Sequence, residues 1–262
     1  MKKAIVLVTF GTSVPEAQKA YERIERRARE SFAAMEIRWA YSSRTIRTKL
    51  TNQGTHLDSP EVALARLMAE NYTHVAVLSL HTIPGIEFHQ LYRNAMLFGE
   101  MSGGFERIVV ARPLLASQAD MERVTRALLR TIPRQRKSSD AVIFMGHGSK
   151  NHPSDALYAA MNYAFLDIAE NVYVATVQGF PTLDALLPKL VAGRVGKVFL
   201  LPFMSVAGEH VRNDMAGDKA DSWKSVLMKQ GFECEISLVG TAEYPEIVEI
   251  WLDHLREAIS KL

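Results

Sequence analysis

Short runs of β-branched and other apolar residues alternate along the chain with longer stretches in which apolar positions recur every three or four residues. The short runs predict buried strands, and the longer stretches predict helices with one apolar face. This alternation is typical of a parallel sheet covered by helices, so the pattern predicts an α/β protein. The predicted strands are Ala4–Val8, Ile37–Tyr41, His74–Leu80, Arg107–Ala111, Ala141–Met145, Val172–Val177, Lys197–Leu201 and Glu235–Val239.

Two helix starts are predicted from local signals. Ser13–Glu16 has the pattern of a capping box, in which the serine and glutamate side chains bond to backbone N–H groups at the helix start. Ser59 followed by Pro60 predicts the start of the next helix, since proline is favoured at the first helical position. The polar stretch 133–140 has no periodic apolar residues and predicts a linker.

The two halves of the chain resemble each other. Residues 4–12 align with residues 141–149 at a constant shift of 137 (141 minus 4), which pairs Phe10 with His147. Residues 75–87 align with residues 198–210 at a shift of 123 (198 minus 75), which pairs Glu87 with His210. The repeat predicts two similar Rossmann-like domains, 1–133 and 134–262, each with a four-stranded parallel sheet flanked by helices. Ligands of such sheets bind outside the carboxyl ends of the strands, so we expect a cleft between the domains.

Composition narrows the function classes. The chain has 262 residues, of which 48% are hydrophobic and 23% charged, as is typical of a folded globular protein. Its 31 basic and 29 acidic residues give a net charge of +2, and the one dense basic cluster, 134–137, is short, which argues against nucleic-acid binding. The first apolar run is too short for a signal peptide, no stretch has the length of a membrane span, and Cys234 is the single cysteine. We therefore expect a cytoplasmic protein with no membrane partner.

Candidate chemistry lies at the predicted strand ends. His147, flanked by two glycines, and His210 would face one crevice, where two imidazoles and a carboxylate suit a divalent first-row metal. Glu87 is the candidate carboxylate. The alternatives are histidines that close tight turns and a glutamate favoured by a helix N-terminus. Cationic residues near the same edges would suit a polyanionic ligand, although each could also be a solvated surface side chain. They are Arg44, Arg47, Arg112 and Arg212.

Motifs for nucleotide-dependent and hydrolytic chemistry are absent from the sequence. There is no G-x-G-x-x-G after the first strand, no P-loop, no G-x-S-x-G elbow and no H-E-x-x-H. We therefore expect no nucleotide cofactor.

Several segments together resemble a known family. Among them are Phe10–Ser13, Ser79–His81 with Gly85 and Glu87, and Phe144–Gly148. The most specific block combines Leu201–Met204, Val206–His210, Asn213–Met215 and Asp221–Lys224. In these residues, and nearly end to end, the chain resembles the anaerobic cobaltochelatase of cobalamin biosynthesis. Members of that family are class II chelatases, and their fold is similar to that of ferrochelatase. They insert Co²⁺ without ATP into sirohydrochlorin, a polycarboxylate tetrapyrrole.

The resemblance implies roles for particular residues. His147 and His210 would bind cobalt and accept pyrrole protons, and Glu87 would be an acidic residue of the same cleft. Phe10, Thr12 and Ser13 would contact the substrate. The four arginines are candidates for binding its carboxylates because of their positions near the predicted strand ends, and not because of the resemblance. The family has a metal-binding glutamate in a Glu-x-aromatic-Pro motif, but this chain has Gln178 there, followed by Gly179-Phe180-Pro181. An amide keeps an oxygen donor but has no negative charge and cannot take a proton.

Three alternatives remain open from the sequence. The chain could be a chelatase for another metal or ring. It could also be a tetrapyrrole or metal carrier on a chelatase scaffold, with His89 as the candidate axial ligand of a bound haem. A sugar- or nucleotide-binding α/β module rests on fold analogy alone. The helix that contains Leu91, Met96 and Leu97 could bury an apolar face against a second subunit, which would make the protein a homo-oligomer.

Overall fold

The structure is a computed structural model that describes residues 1–150, 152–166 and 168–262. The strands are β1 (Lys3–Thr9), β2 (Glu36–Tyr41), β3 (His74–Ser79), β4 (Arg107–Val110), β5 (Ala141–Gly146), β6 (Val172–Thr176), β7 (Lys197–Pro202) and β8 (Glu233–Ile236). The helices are α1 (Pro15–Ser31), α2 (Arg44–Asn52), α3 (Pro60–Ala69), α4 (Ile86–Glu100), α5 (Gln118–Thr131), α6 (Ala156–Leu166), α7 (Leu183–Ala192), α8 (Trp223–Lys229) and α9 (Pro245–Ile259). None of these described helices is long and apolar enough to cross a membrane.

The strands form two parallel sheets with the same topology. The first sheet has the order β2-β1-β3-β4 and the second has the order β6-β5-β7-β8. Each predicted strand is found, although β8 begins at Glu233 instead of Glu235. The predicted fold class, two four-stranded parallel sheets flanked by helices, is confirmed.

Each sheet is covered on both faces. In the first sheet, alternate residues of β1 such as Val6 and Val8 pack in one cluster with Leu64 of α3 and Leu91 of α4. Ile5 and Leu7 point to the opposite face and are also fully buried, because side chains alternate along a strand. Burial on both faces explains why these strands read as unbroken apolar runs in the sequence.

Helix starts agree only in part with the sequence. Ser59 caps α3 as predicted, since its hydroxyl accepts a hydrogen bond from the Val62 N–H at 3.3 Å. The predicted capping box at Ser13 is wrong, because the N-cap residue of α1 is Val14, with no side-chain cap. Pro15 occupies the first helical position, where its missing N–H needs no partner. Helix α2, which follows β2 directly, was not predicted.

Packing groups the chain into two compact units. One comprises residues 1–116 and 248–262, and the other comprises residues 117–247. Residues 117–133 and 248–262 therefore group differently from the limits 1–133 and 134–262 expected from the sequence. Those limits stay a prediction about independent domains.

Candidate active site

His147 lies in a tight loop directly after β5. Its carbonyl oxygen accepts a hydrogen bond from the Gln178 N–H at 2.8 Å, and the Gln178 carbonyl in turn accepts one from the Lys150 N–H at 2.7 Å. Gly148 has a φ of +81°, and a Cβ placed on it would lie 2.7 Å from the backbone nitrogen of Gly179. Glycine at 148 therefore allows the two loops to touch, and their hydrogen bonds fix the position of His147.

His210 lies beyond the end of β7, where Gly208 precedes a short helical segment. One turn of π-helix, Val211–Met215, follows His210 directly. Val211 and Met215 are fully buried in the core cluster of the second unit. These two anchors leave the His210 and Asp214 side chains on the more exposed side of the turn.

The two imidazoles meet edge to face. Their Nε2 atoms are 3.3 Å apart, and the ring centroids are separated by 4.8 Å. Nδ1 of His147 lies 2.8 Å from the Gly148 carbonyl oxygen, and Nδ1 of His210 lies 2.6 Å from Oδ2 of Asp214. Carbonyl and carboxylate oxygens only accept hydrogen bonds, so each Nδ1 must carry the hydrogen. In the neutral rings both Nε2 atoms therefore carry lone pairs, and a proton or a metal cation between them would satisfy both.

The surroundings favour the neutral form of His147. Burial is the largest effect and holds its imidazole pKa below the ordinary value. The Gly148 carbonyl opposes this shift, while the neighbouring His210 and Lys150 reinforce it. The lowered pKa favours the uncharged imidazole of His147 at neutral pH.

Comparison with known proteins places the chain in a family. The family model described as cobalt chelatase (CbiK) matches residues 3–260. The chain belongs to the CbiK cobalt chelatase family. Its relatives include the sirohydrochlorin cobaltochelatase CbiKC of Nitratidesulfovibrio vulgaris, 41% identical over 261 residues that cover 100% of this chain and 92% of the relative. The sirohydrochlorin cobaltochelatase of Salmonella typhimurium is 34% identical over 99% of this chain and 97% of its own length.

Solved chelatase structures share the fold. SirB from Bacillus subtilis with Fe³⁺ aligns with a TM-score of 0.65 at 14% identity, over 98% of this chain and 96% of SirB. SirB from the subspecies spizizenii, a sirohydrochlorin chelatase in complex with cobalt, aligns with a TM-score of 0.64 at 15% identity, over 100% and 97%. At these identities the likeness shows the fold alone. The resemblance inferred from the sequence, to a metal chelatase of the cobalamin pathway, is confirmed by the family match and the curated relatives.

In this member of the CbiK family, the first unit repeats the loop geometry of the second. The Ser43 N–H donates to the Phe10 carbonyl at 3.1 Å, as the Gln178 N–H donates to the His147 carbonyl. Phe10 therefore occupies the His147 position, and its side chain is 40% exposed. The predicted equivalence of Phe10 and His147 is confirmed at the level of single hydrogen bonds.

Glu87 lies in the first turn of α4, and its partner is a residue that the sequence analysis missed. The Ser42 hydroxyl donates to Oε2 of Glu87 at 3.3 Å. Partial desolvation raises the pKa of the Glu87 carboxyl, and the Ser42 hydrogen bond lowers it. Ser42 follows the end of β2, and this strand-end position was the signal that could have identified it.

The backbone N–H of Gln178 bonds to the His147 carbonyl oxygen, and residue 178 is partly buried. Within residues 1–150, 152–166 and 168–262, no group of three or more His, Cys, Asp or Glu side chains is placed to hold one ion. Asp214 was part of a recognised sequence block but had no assigned role. Its spacing of four residues from His210 was the available signal, since such residues are neighbours on a helix.

The predicted arginines make contacts that the sequence could not show. Arg47 donates to the carbonyl oxygens of Tyr41 and, at 2.9 Å, Ser42. Arg112 pairs with Glu257 at 2.8 Å, and Arg212 donates to the Ala207 carbonyl at 3.3 Å. Arg44 is exposed at the start of α2. Substrate binding by these four arginines stays a prediction.

Two other predicted substrate contacts lie at the start of α1. Thr12 is buried, and its hydroxyl accepts a hydrogen bond from the Val14 N–H at 3.1 Å. Ser13 is also buried. Their contact with substrate stays a prediction, as does haem ligation by His89, which is exposed on α4 with its ring 5.7 Å from that of Phe88.

Proposed function

We propose that this chain inserts Co²⁺ into sirohydrochlorin, with His147 and His210 as the residues that hold the ion. The observation that carries the proposal is the 3.3 Å separation of their Nε2 atoms. Two nitrogens bound to one first-row divalent ion at about 2.0–2.1 Å, with a tetrahedral angle between them, are about 3.3–3.4 Å apart. This separation supports the proposal that the pair holds the ion.

The same lone pairs support the second half of the reaction. When Co²⁺ enters the macrocycle, two pyrrole N–H protons must leave, so charge balances as one dication exchanged for two protons. Transfer of the ion to the ring leaves both Nε2 atoms without it, and the pair can then take up the two pyrrole protons one after the other. The lowered pKa of His147 favours release of that proton to solvent, which restores the site.

Further residues enter the proposal from the family resemblance and, for the arginines, from their positions near the strand ends. Glu87 would serve as an acidic residue of the reaction and Gln178 as an oxygen donor to the metal. The substrate carries carboxylates, which match guanidinium groups in charge and geometry. The substrate-binding residues in this proposal are Phe10, Thr12, Ser13, Arg44, Arg47, Arg112 and Arg212.

The test is a metallation time course followed by absorbance, with the spontaneous rate subtracted. We expect His147→Ala and His210→Ala each to lower kcat/KM at least 100-fold, as is typical when a group that moves a proton is removed. His56→Ala is the matched control, because His56 is an exposed histidine of the first unit, and it should leave kcat/KM unchanged. Unaltered turnover in both site variants, with native circular dichroism, would remove the histidine pair from the mechanism.

A haem carrier is the second candidate, and it rests on His89. This exposed imidazole lies beside the Phe88 ring, and Tyr92 lies one helical turn further along. An aromatic surface beside an exposed imidazole suits a porphyrin with an axial ligand. Haem added to the purified protein should give a sharp Soret band that His89→Ala abolishes; a spectrum of free haem in the unaltered protein would rule this candidate out.

A further inference from the structure

We infer that Asp214 is a positioning residue for the metallation reaction, which it serves by holding His210 in the tautomer whose Nε2 carries the lone pair. The inference rests on the proposed function of the histidine pair. Oδ2 of Asp214 lies 2.6 Å from Nδ1 of His210, which is at the short end for a hydrogen bond between nitrogen and oxygen. The opposite nitrogen of the same ring is the one that faces His147.

The tautomer follows from the donor and acceptor inventory. An ionised carboxylate has no hydrogen to donate, so the hydrogen of this bond belongs to Nδ1. Without that partner the His210 ring could carry its hydrogen on Nε2, where it would point at His147 and block the position of the ion. Metal-binding histidines commonly donate their second N–H to a carboxylate or a carbonyl, and such partners fix both tautomer and ring orientation. His147 has the carbonyl version of this arrangement, through Gly148.

The local fold holds Asp214 at this place. The Ala216 N–H donates to the Val211 carbonyl at 3.1 Å, a five-residue spacing that makes this turn a π-helix. π-turns are rare and occur often at functional sites. Val211 and Met215, on either side of Asp214 along the chain, are both fully buried, so the core fixes the backbone that carries the carboxylate.

A contribution to fold stability does not account for the pair. The side chains of His210 and Asp214 are 37% and 43% exposed, and pairs this open to solvent contribute little to the stability of a protein. An effect of Asp214 on metal binding should therefore be separable from an effect on folding.

The first measurement is the tautomer itself, read from two-bond ¹H–¹⁵N correlation spectra in alkaline buffer, where imidazoles are neutral. His210→Ala identifies the His210 signals by their loss. In the unaltered protein we expect the His210 hydrogen on Nδ1, and in Asp214→Ala we expect a shift toward the Nε2–H form. The control is Asp218→Ala, which removes the same charge from a side chain that is 96% exposed, and which should leave the His210 signals in place.

The second measurement separates metal binding from substrate binding. Asp214→Ala should raise the Co²⁺ dissociation constant about 10- to 100-fold and lower kcat, while KM for sirohydrochlorin stays the same. Asp214→Asn keeps the size of the side chain and an accepting oxygen, so it should show a smaller loss and serves as the test if the alanine variant does not fold. Asp218→Ala should behave as the unaltered protein.

Two results would overturn the inference. One is a His210 hydrogen on Nε2 in the unaltered protein, and the other is an unchanged tautomer and Co²⁺ affinity in both Asp214 variants. Failure of the proposed function looks different, because the unaltered protein would then not accelerate metallation although Asp214 still controlled the His210 tautomer.

Discussion

The position of one hydrogen atom on each imidazole decides what the histidine pair can bind. Both Nδ1 atoms face oxygens that only accept, so both Nε2 atoms face each other as acceptors at 3.3 Å. Two neutral acceptors at that distance gain nothing from each other and are stabilised when a cation lies between them. In the proposed function the pair would therefore attract positive charge even though its residues carry none when neutral.

Gln178 gives a prediction at this scale. Gln178→Glu would place a carboxylate beside the loop that carries His147, because residue 178 is bonded through its backbone to the His147 carbonyl. A negative charge attracts the cation, so the Co²⁺ dissociation constant should fall roughly 10-fold, or about 1.4 kcal/mol. Isothermal titration of the two proteins with Co²⁺ measures this. Equal affinities would mean that the amide already provides all that this position contributes.

His81 gives a pH prediction outside the histidine pair. Its Nδ1 bonds with the Ser79 hydroxyl at 2.7 Å, and its Nε2 is buried with no hydrogen-bond partner among the residues described by the structure. Burial lowers the imidazole pKa to about 4. The unfolded chain, with an ordinary pKa of about 6.5, binds more protons below that pH than the folded chain does. Stability is therefore fully present above about pH 6.5 and falls as the pH drops toward 4, by about 3 kcal/mol.

The measurement is urea denaturation at pH 7 and near pH 4. Other groups also titrate in this window, so the comparison that matters is with His81→Asn, whose amide can replace the Ser79 hydrogen bond but does not protonate. The asparagine variant should lose less stability on acidification than the unaltered protein. An identical loss in both would show that His81 protonates without penalty in the folded state.

At the scale of elements, the two sheets end in matching loops. The Leu80 N–H donates to the Val8 carbonyl at 2.8 Å, and the Phe203 N–H donates to the Met145 carbonyl at 2.7 Å, at the shifts of 123 and 137 found in the sequence. The same scaffold thus presents Phe10 in one unit and His147 in the other. The strand-end backbone is common to both, and the side chain alone distinguishes the chemistry.

A substitution at Gly148 tests whether the protein needs the close contact between the loop after β5 and the backbone of Gly179. Alanine at 148 would force a side chain into a left-handed conformation and against the backbone of Gly179, so we expect Gly148→Ala to destabilise the protein by about 2 kcal/mol or more and to weaken Co²⁺ binding. Gly196→Ala is the control, since its Cβ would meet nothing within 4 Å. Urea denaturation compares the two variants. Equal stability would show that the 148 and 179 loops can separate without loss.

The sequence predicted the presence and order of the strands better than the exact start of the first helix. Buried strands are visible as apolar runs, and the repeat identified their order, so the fold and both histidines were predictable. The start of α1 was not, because Ser13 and Glu16 match a capping box although Pro15 begins the helix after Val14. Asp214 and Ser42 had only positional signals in the sequence, a four-residue spacing from His210 and a strand end. Their hydrogen bonds could not be predicted, because these depend on side-chain directions that only the packed structure sets.

At the scale of the whole molecule, the last residues of the chain follow the second unit in sequence but pack with the first. The expected limits, 1–133 and 134–262, assign the last helix to the second half. In the structure residues 248–262 pack with residues 1–116, and the His254 ring, for example, lies 3.2 Å from the Arg112 carbonyl. A sequence repeat cannot reveal this, since an apolar helix face fits either sheet until the connections fix which one it reaches.

Substitutions at Trp251 test which unit the last helix stabilises. Its side chain is fully buried in α9, so Trp251→Ala should lower the free energy of unfolding by about 3–5 kcal/mol. Trp251→Phe should lose roughly half as much. Its Nε1 has no hydrogen-bond partner within the described part of the chain, so the phenylalanine variant loses packing contacts but no hydrogen bond.

Hydrogen exchange of the folded Trp251→Ala variant then reports which unit the last helix stabilises. Faster exchange in β1 and β3, with β5 and β7 unchanged, is expected from the packing. Faster exchange in β5 and β7 instead would support 134–262 as the second domain.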